Sequence, residues 1–103
     1  MVKAIKEEEF KDSVKDGFSV VDFSATWCGP CQMLAPVLEE VSNDMEGKAK
    51  FFSVDVDDAQ DLCQELGVMN VPAVFIFKDG EPVAQSVGFR PKDLITSWIS
   101  ENL

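Results

Sequence analysis

The chain has 103 residues, with nine lysines and arginines against 19 aspartates and glutamates, no histidine and three cysteines, for a formal net charge of −10. A surface this negative repels phosphate backbones and anionic lipid headgroups, which excludes nucleic acid and membrane surfaces as expected partners. Without an imidazole there is no Cys–His hydrolase, and three cysteines fall short of the usual four-ligand zinc set, so no metal is expected.

Read from the N-terminus, Val2 to Ile5 is a strand candidate. Lys6 to Lys15 is a polar helix carrying Phe10 and Val14 four residues apart and stopped near Gly17. Phe18 to Phe23 is almost continuously apolar, interrupted by Ser19 and Asp22, as expected of a central strand covered on both faces. From Cys31 to about Met45, residues Met33, Leu34, Val37, Leu38, Val41 and Met45 form a stripe of helical period. Ala49 to Asp55 is a third strand. Ala59, Leu62, Cys63 and Leu66 share one face of a short helix that Asp57 or Asp58 is placed to cap. Ala73 to Phe77 and Pro82 to Val87 are two further strands joined through Asp79-Gly80, a strong hairpin signal. Pro91 suits the first turn of a closing helix with Leu94, Ile95, Trp98 and Ile99 facing inward. No repeat, linker or low-complexity segment interrupts this order, and residues 1–103 are expected to form one mixed sheet between helices in a single domain.

The chemistry is concentrated in Trp27-Cys28-Gly29-Pro30-Cys31, where the central strand runs into the long helix. Two cysteines separated by two residues can close into a disulfide and reopen. At a helix N-terminus, unsatisfied N–H groups favour the thiolate of the first by roughly 0.3–1 kcal/mol. Strand, Cys-X-X-Cys and helix in that order mark a thiol–disulfide redox site. No apolar signal segment precedes it, since Met1 to Glu9 turns acidic early, and no run is long enough to span a membrane. A reducing cytoplasm is therefore expected, where such a pair is catalytic or metal-binding rather than structural. Asp22 is the second informative residue: a carboxylate in an apolar central strand is costly to ionise, so its pKa should be raised. Cys63 shares its helix face with Leu62 and Leu66 and reads as a small buried hydrophobe. Asp55, Asp57, Asp58 and Asp61 lack the glycine and terminal glutamate of a calcium loop and read as caps and solvated charge. Pro36 removes one N–H inside the long helix and should bend it.

These residues, with Asp22 six before the first cysteine, Pro36 five after the second, Val71-Pro72 before a strand, the Asp79-Gly80 turn and Gly88, make the whole chain resemble the thioredoxin family. The resemblance implies an α/β fold of three layers, a five-stranded mixed sheet flanked by four helices, with a cis-proline at Pro72. It implies a protein-disulfide reductase: Cys28 is the nucleophile, Cys31 the resolving thiol, and Asp22 the carrier of the proton leaving Cys31. Trp27, Gly29, Pro30, Val71, Pro72, Gly88 and Phe89 would form the docking rim for disulfide-containing target proteins. A thioredoxin reductase would recharge the pair, no cofactor is implied, and the chain is expected to be a monomer. Two other readings share the sequence. One is an oxidase or isomerase of opposite redox poise, against which Gly29-Pro30 offers no histidine to stabilise the thiolate. The other is a non-catalytic binding module that uses the surface around Trp27. The chain departs from the family at Ser24, Gln32, Ser53 and Ala73. Gln32 and Ser53 stand where many members carry lysine, so the pKa values of Cys28 and Asp22 are expected to lie higher than in those members.

Overall fold

The computed structural model describes residues 1–103 and contains one five-stranded sheet. The strands are β1 (Val2–Ala4), β2 (Phe18–Ser24), β3 (Lys50–Asp55), β4 (Ala73–Lys78) and β5 (Glu81–Val87), in the order β1-β3-β2-β4-β5. β1, β3 and β2 are parallel, whereas β4 and β5 run antiparallel. The helices are α1 (Phe10–Val14), α2 (Gly29–Asp44), α3 (Gln60–Leu66) and α4 (Lys92–Glu101), giving the expected five strands and four helices. No helix is long and apolar enough to cross a membrane.

Period-two alternation along β2 divides the core between the two faces of the sheet. Val21 and Phe23 join Phe52, Val54, Phe75 and Phe77 against Phe10 and Val14 of α1 and Leu62 and Cys63 of α3. Val20 joins Phe51, Val74 and Ile76 against Leu34, Leu38 and Val41 of α2 and Ile95 and Ile99 of α4. β2 lies in the middle, buried from Ser19 to Phe23, and its last turn aims the chain at the cysteines. Asp79 and Gly80 both take positive φ, 50° and 87°, the two-residue hairpin geometry their sequence predicts.

Several local expectations are corrected by packing. The chain from Lys6 is not one helix: a 3₁₀ turn over Glu7–Glu9 precedes α1, its entry closed by the Lys6 N–H donating to Glu9 Oε1 at 2.9 Å. Ile5 leaves β1 and turns into the core, although its N–H still donates to the Ser53 carbonyl. α2 begins at Gly29 rather than Cys31, because Cys28 is its N-cap and Pro30 fits its first turn. Met33 lies off the buried stripe, 60% exposed, while Leu34, Leu38 and Val41 point inward at three- and four-residue steps. Neither Asp57 nor Asp58 caps α3. Asp55 accepts the Asp57 N–H to form a second 3₁₀ turn, and the Leu62 N–H of α3 donates to Glu7 Oε1, 55 residues away, at 2.6 Å. Pro91 is the N-cap of α4 rather than part of its first turn, and Leu94 is 54% exposed because only Ile95, Ile99 and part of Trp98 reach the sheet.

Candidate active site

The site forms where β2 ends and α2 begins. Cys28 and Cys31 pair as a disulfide with their Cα atoms 5.3 Å apart. The Cys31 N–H, one of the unsatisfied donors of the first helical turn, donates to Cys28 Sγ at 3.2 Å. That donor favours negative charge on the Cys28 sulfur when the pair is reduced. Both cysteines are buried, packed with Ala25 against Val56 and Val71. Cys28 Sγ also lies 3.8 Å from the Val71 carbonyl oxygen. The Val71–Pro72 peptide is cis, and the Gly88 N–H donates to the Pro72 carbonyl at 2.8 Å, tying the loop before β4 to the end of β5.

Around the sulfurs the surface is apolar and open on one side. Trp27 is 69% exposed, and its indole N–H donates to Asp57 Oδ2 at 2.9 Å. Gly29, Pro30 and Phe89 are exposed, Val71 and Gly88 half-buried, and Pro72 buried. The structure thus gathers Trp27, Gly29, Pro30 and Val71 at the cysteines and ties Gly88 to Pro72 in the adjoining loop. Three participants escaped the sequence reading. Asp57 was assigned to capping and solvated charge, yet it holds the indole; only the fold brings it to Trp27. Met69, 90% exposed, lines a hollow of about 340 Å³ with Trp27, Val56, Cys63, Val68, Asn70 and Val71. Its nearness to Val71 in sequence was the available signal. Gln32, read only as a missing lysine, donates through Nε2 to the Thr26 carbonyl at 2.8 Å and fastens the loop that carries Trp27.

Asp22 lies beneath α2, on the same face of β2 as Val20. It is 4% exposed, and its Oδ1 has no hydrogen-bond partner. Burial pushes its carboxyl from 3.8 up to about 7. The register pairs Asp22 with Ser53 on β3 and with Val74 on β4. The residue beside the carboxylate on β3 is therefore a serine and no cation. Cys63 is buried and unpaired, and burial, with the nearby Glu7 carboxylate, raises its thiol pKa, which keeps it an inert thiol.

A cysteine pair that closes at a helix N-terminus beside a cis-proline loop is built for thiol–disulfide exchange. The thioredoxin family model matches residues 1–101. Curated thioredoxins from Staphylococcus saprophyticus and Staphylococcus aureus are 44% and 43% identical to the chain over 99 residues, covering 96% of it and 95% of each relative. The solved structure of chloroplastic thioredoxin z superposes with a TM-score of 0.87 at 35% identity, over 97% of this chain and 92% of that one. The chain belongs to the thioredoxin family, and its activity is protein-disulfide reduction by a redox-active cysteine pair.

Proposed function

We propose that Cys28 opens the reaction and Cys31 completes it. The Cys28 thiolate attacks one sulfur of a target disulfide, and the other target sulfur leaves as a thiolate that takes a proton from solvent. Cys31 gives its proton to Asp22, forms the bond to Cys28 and breaks the mixed disulfide. The second target sulfur leaves with the bonding electron pair and is protonated in turn. The target gains two electrons and two protons, and the protein is left as the Cys28–Cys31 disulfide. The observation that carries this order is the Cys31 N–H donated to Cys28 Sγ, since it stabilises charge on the first sulfur alone.

Asp22 suits its part because an acid with a pKa of about 7 takes and returns a proton near neutrality at little cost. Trp27, Gly29, Pro30, Val71, Pro72, Gly88 and Phe89 form the rim on which an extended target segment docks, pairing with backbone at the Val71–Pro72 loop. Residues 1–103 act as one domain, a monomer in the cytoplasm, recharged by a thioredoxin reductase; the full-length family match supports this.

The test is mixed-disulfide trapping. Cys31→Ser should accumulate a covalent adduct with a disulfide substrate such as insulin, and Cys28→Ser should accumulate none. Adduct on Cys31 in the Cys28→Ser protein, at a comparable rate, would reverse the two roles. A reduction potential below the glutathione poise would separate this donor of electrons from an oxidase of the same fold.

A further inference from the structure

Beside the redox pair lies a cleft of about 440 Å³, lined by Cys31 but not by Cys28 or Trp27, that the chemistry above does not use. Small residues line it, the buried Ala25, the half-buried Ser24 and Ser53 and the exposed Ala35 of α2, together with Cys31. Its outer rim carries Lys6, Glu9, Asp55 and Asp58, all open to solvent to some degree. Asp22 does not line the cleft, but its neighbours do: Ser24 follows it by two residues on the same face, and Ser53 is its register partner. The Asp22 carboxylate, which no protein donor satisfies at Oδ1, is thus a neighbour on the sheet of Ser53, a half-buried residue that lines the cleft.

We propose that the cleft is the route by which Asp22 exchanges its proton with bulk water, with the Ser53 hydroxyl as the inner station of that route. The proposal rests on the reading of Asp22 as the proton acceptor for Cys31. Cys31 S–H gives its proton to the Asp22 carboxylate, and the Cys31 thiolate closes the disulfide as described. Before that closure the Asp22 carboxyl donates to the Ser53 oxygen while the Ser53 hydroxyl releases its own proton to water in the cleft, so the proton does not return to Cys31 before its thiolate attacks; Ser53 is left unchanged and Asp22 ionised. A hydroxyl can accept and donate at once, which neither an alkyl side chain nor a fixed ammonium does. The charged groups around the path are few. α2 carries no lysine or arginine, its carboxylates Glu39, Glu40 and Asp44 lie toward its C-terminal end, and Lys6 is the one cation lining the cleft, at the rim. Proton transfer here is therefore set by access and hydrogen bonding rather than by a neighbouring cation. Ser53 is a positioning residue in this scheme.

Two independent blocks test it: Ser53→Val removes the hydroxyl, and Ala35→Leu fills the cleft from α2. Mixed-disulfide formation and its resolution are timed separately in single turnovers from pH 6 to 9 (the assay range), with Asp22→Asn alongside and the Asp22 titration followed by carboxyl NMR. At neutral pH resolution should slow about fivefold to tenfold in Ser53→Val, part of what a positioned acid or base contributes. Ala35→Leu should slow the same step, Ser53→Thr should restore it, and formation of the mixed disulfide should report intact folding and docking. Wild-type resolution in Ala35→Leu and in any folded Ser53→Val, with Asp22→Asn slow, overturns the route and leaves Asp22 in its role. Wild-type resolution in Asp22→Asn itself removes the carboxylate from the step and the route with it.

Discussion

The two faces of the sheet are built to different rules. Against α1 and α3 the packing is aromatic: Phe10 meets Phe77 edge-on at 5.2 Å between ring centroids, Phe23 meets Phe75 at 5.4 Å, and Phe75 stacks on Phe77 at 5.9 Å. That face buries one unpartnered hydroxyl, Ser19, and no charge. Against α2 and α4 the packing is mainly aliphatic, with Phe51 its one buried ring, and it is crossed by a polar row, Ser53, Asp22 and Ser86, which the register sets side by side with Val74 between the last two. Asp22 Oδ1 and Ser86 Oγ have no hydrogen-bond partner there. One face supplies stability, and the other gives some of it up along this polar row.

The contrast can be broken from either side. Phe77→Ala opens a cavity on the aromatic face at a fully covered ring and should cost about 3–5 kcal/mol in urea unfolding. Insulin reduction per folded molecule should stay at the wild-type level; a matching loss of activity would mean the faces are not separable.

Asp22→Asn should act in the opposite sense. The folded pKa of about 7 lies above the unfolded value of 3.8, so the folded state binds its proton more tightly. Below the unfolded value both states are protonated and nothing is lost. As pH rises through the window from 3.8 to about 7 the unfolded chain ionises first, and stability falls by about 4 kcal/mol. The asparagine variant escapes that loss and should unfold at a higher temperature at pH 8 but not at pH 3, while resolving mixed disulfides more slowly near neutrality. Equal stability of the two proteins at pH 8 would remove the electrostatic cost assigned to this face.

The smallest effect is expected from Glu7→Ala, which removes the acceptor for the Leu62 N–H at the start of α3. A loss of about 1 kcal/mol is expected, as for a helix cap. Faster hydrogen exchange confined to α3 would locate it; no change would show that the long-range cap is idle.

Much of this was legible in the residues themselves. The alternation of apolar strands and helical stripes, the Asp79-Gly80 turn and the cysteine spacing are local, so the element order and the position of the redox pair follow from them. Asp22 stood out because a carboxylate in an apolar strand conflicts with its surroundings whatever the fold. The misplaced caps and faces have a different cause. Glu7 reaches Leu62, and Asp57 reaches Trp27, across 55 and 30 residues of chain, and side chains of such separation meet only when the sheet closes. Met33 and Leu94 fit the helical period yet stay exposed, because period names a stripe and only the width of the opposing sheet decides how much of it is covered. Ser53 makes the division plainest. In sequence it is one serine in an apolar strand, and only the parallel register of β2 and β3 sets it beside Asp22, where it lines the cleft. Local covalent pattern determined the strands, the helices and the chemistry of the two sulfurs. Which groups surround the buried carboxylate, and whether solvent reaches it, was decided by tertiary packing, because both depend on contacts between segments that the chain alone does not hold together.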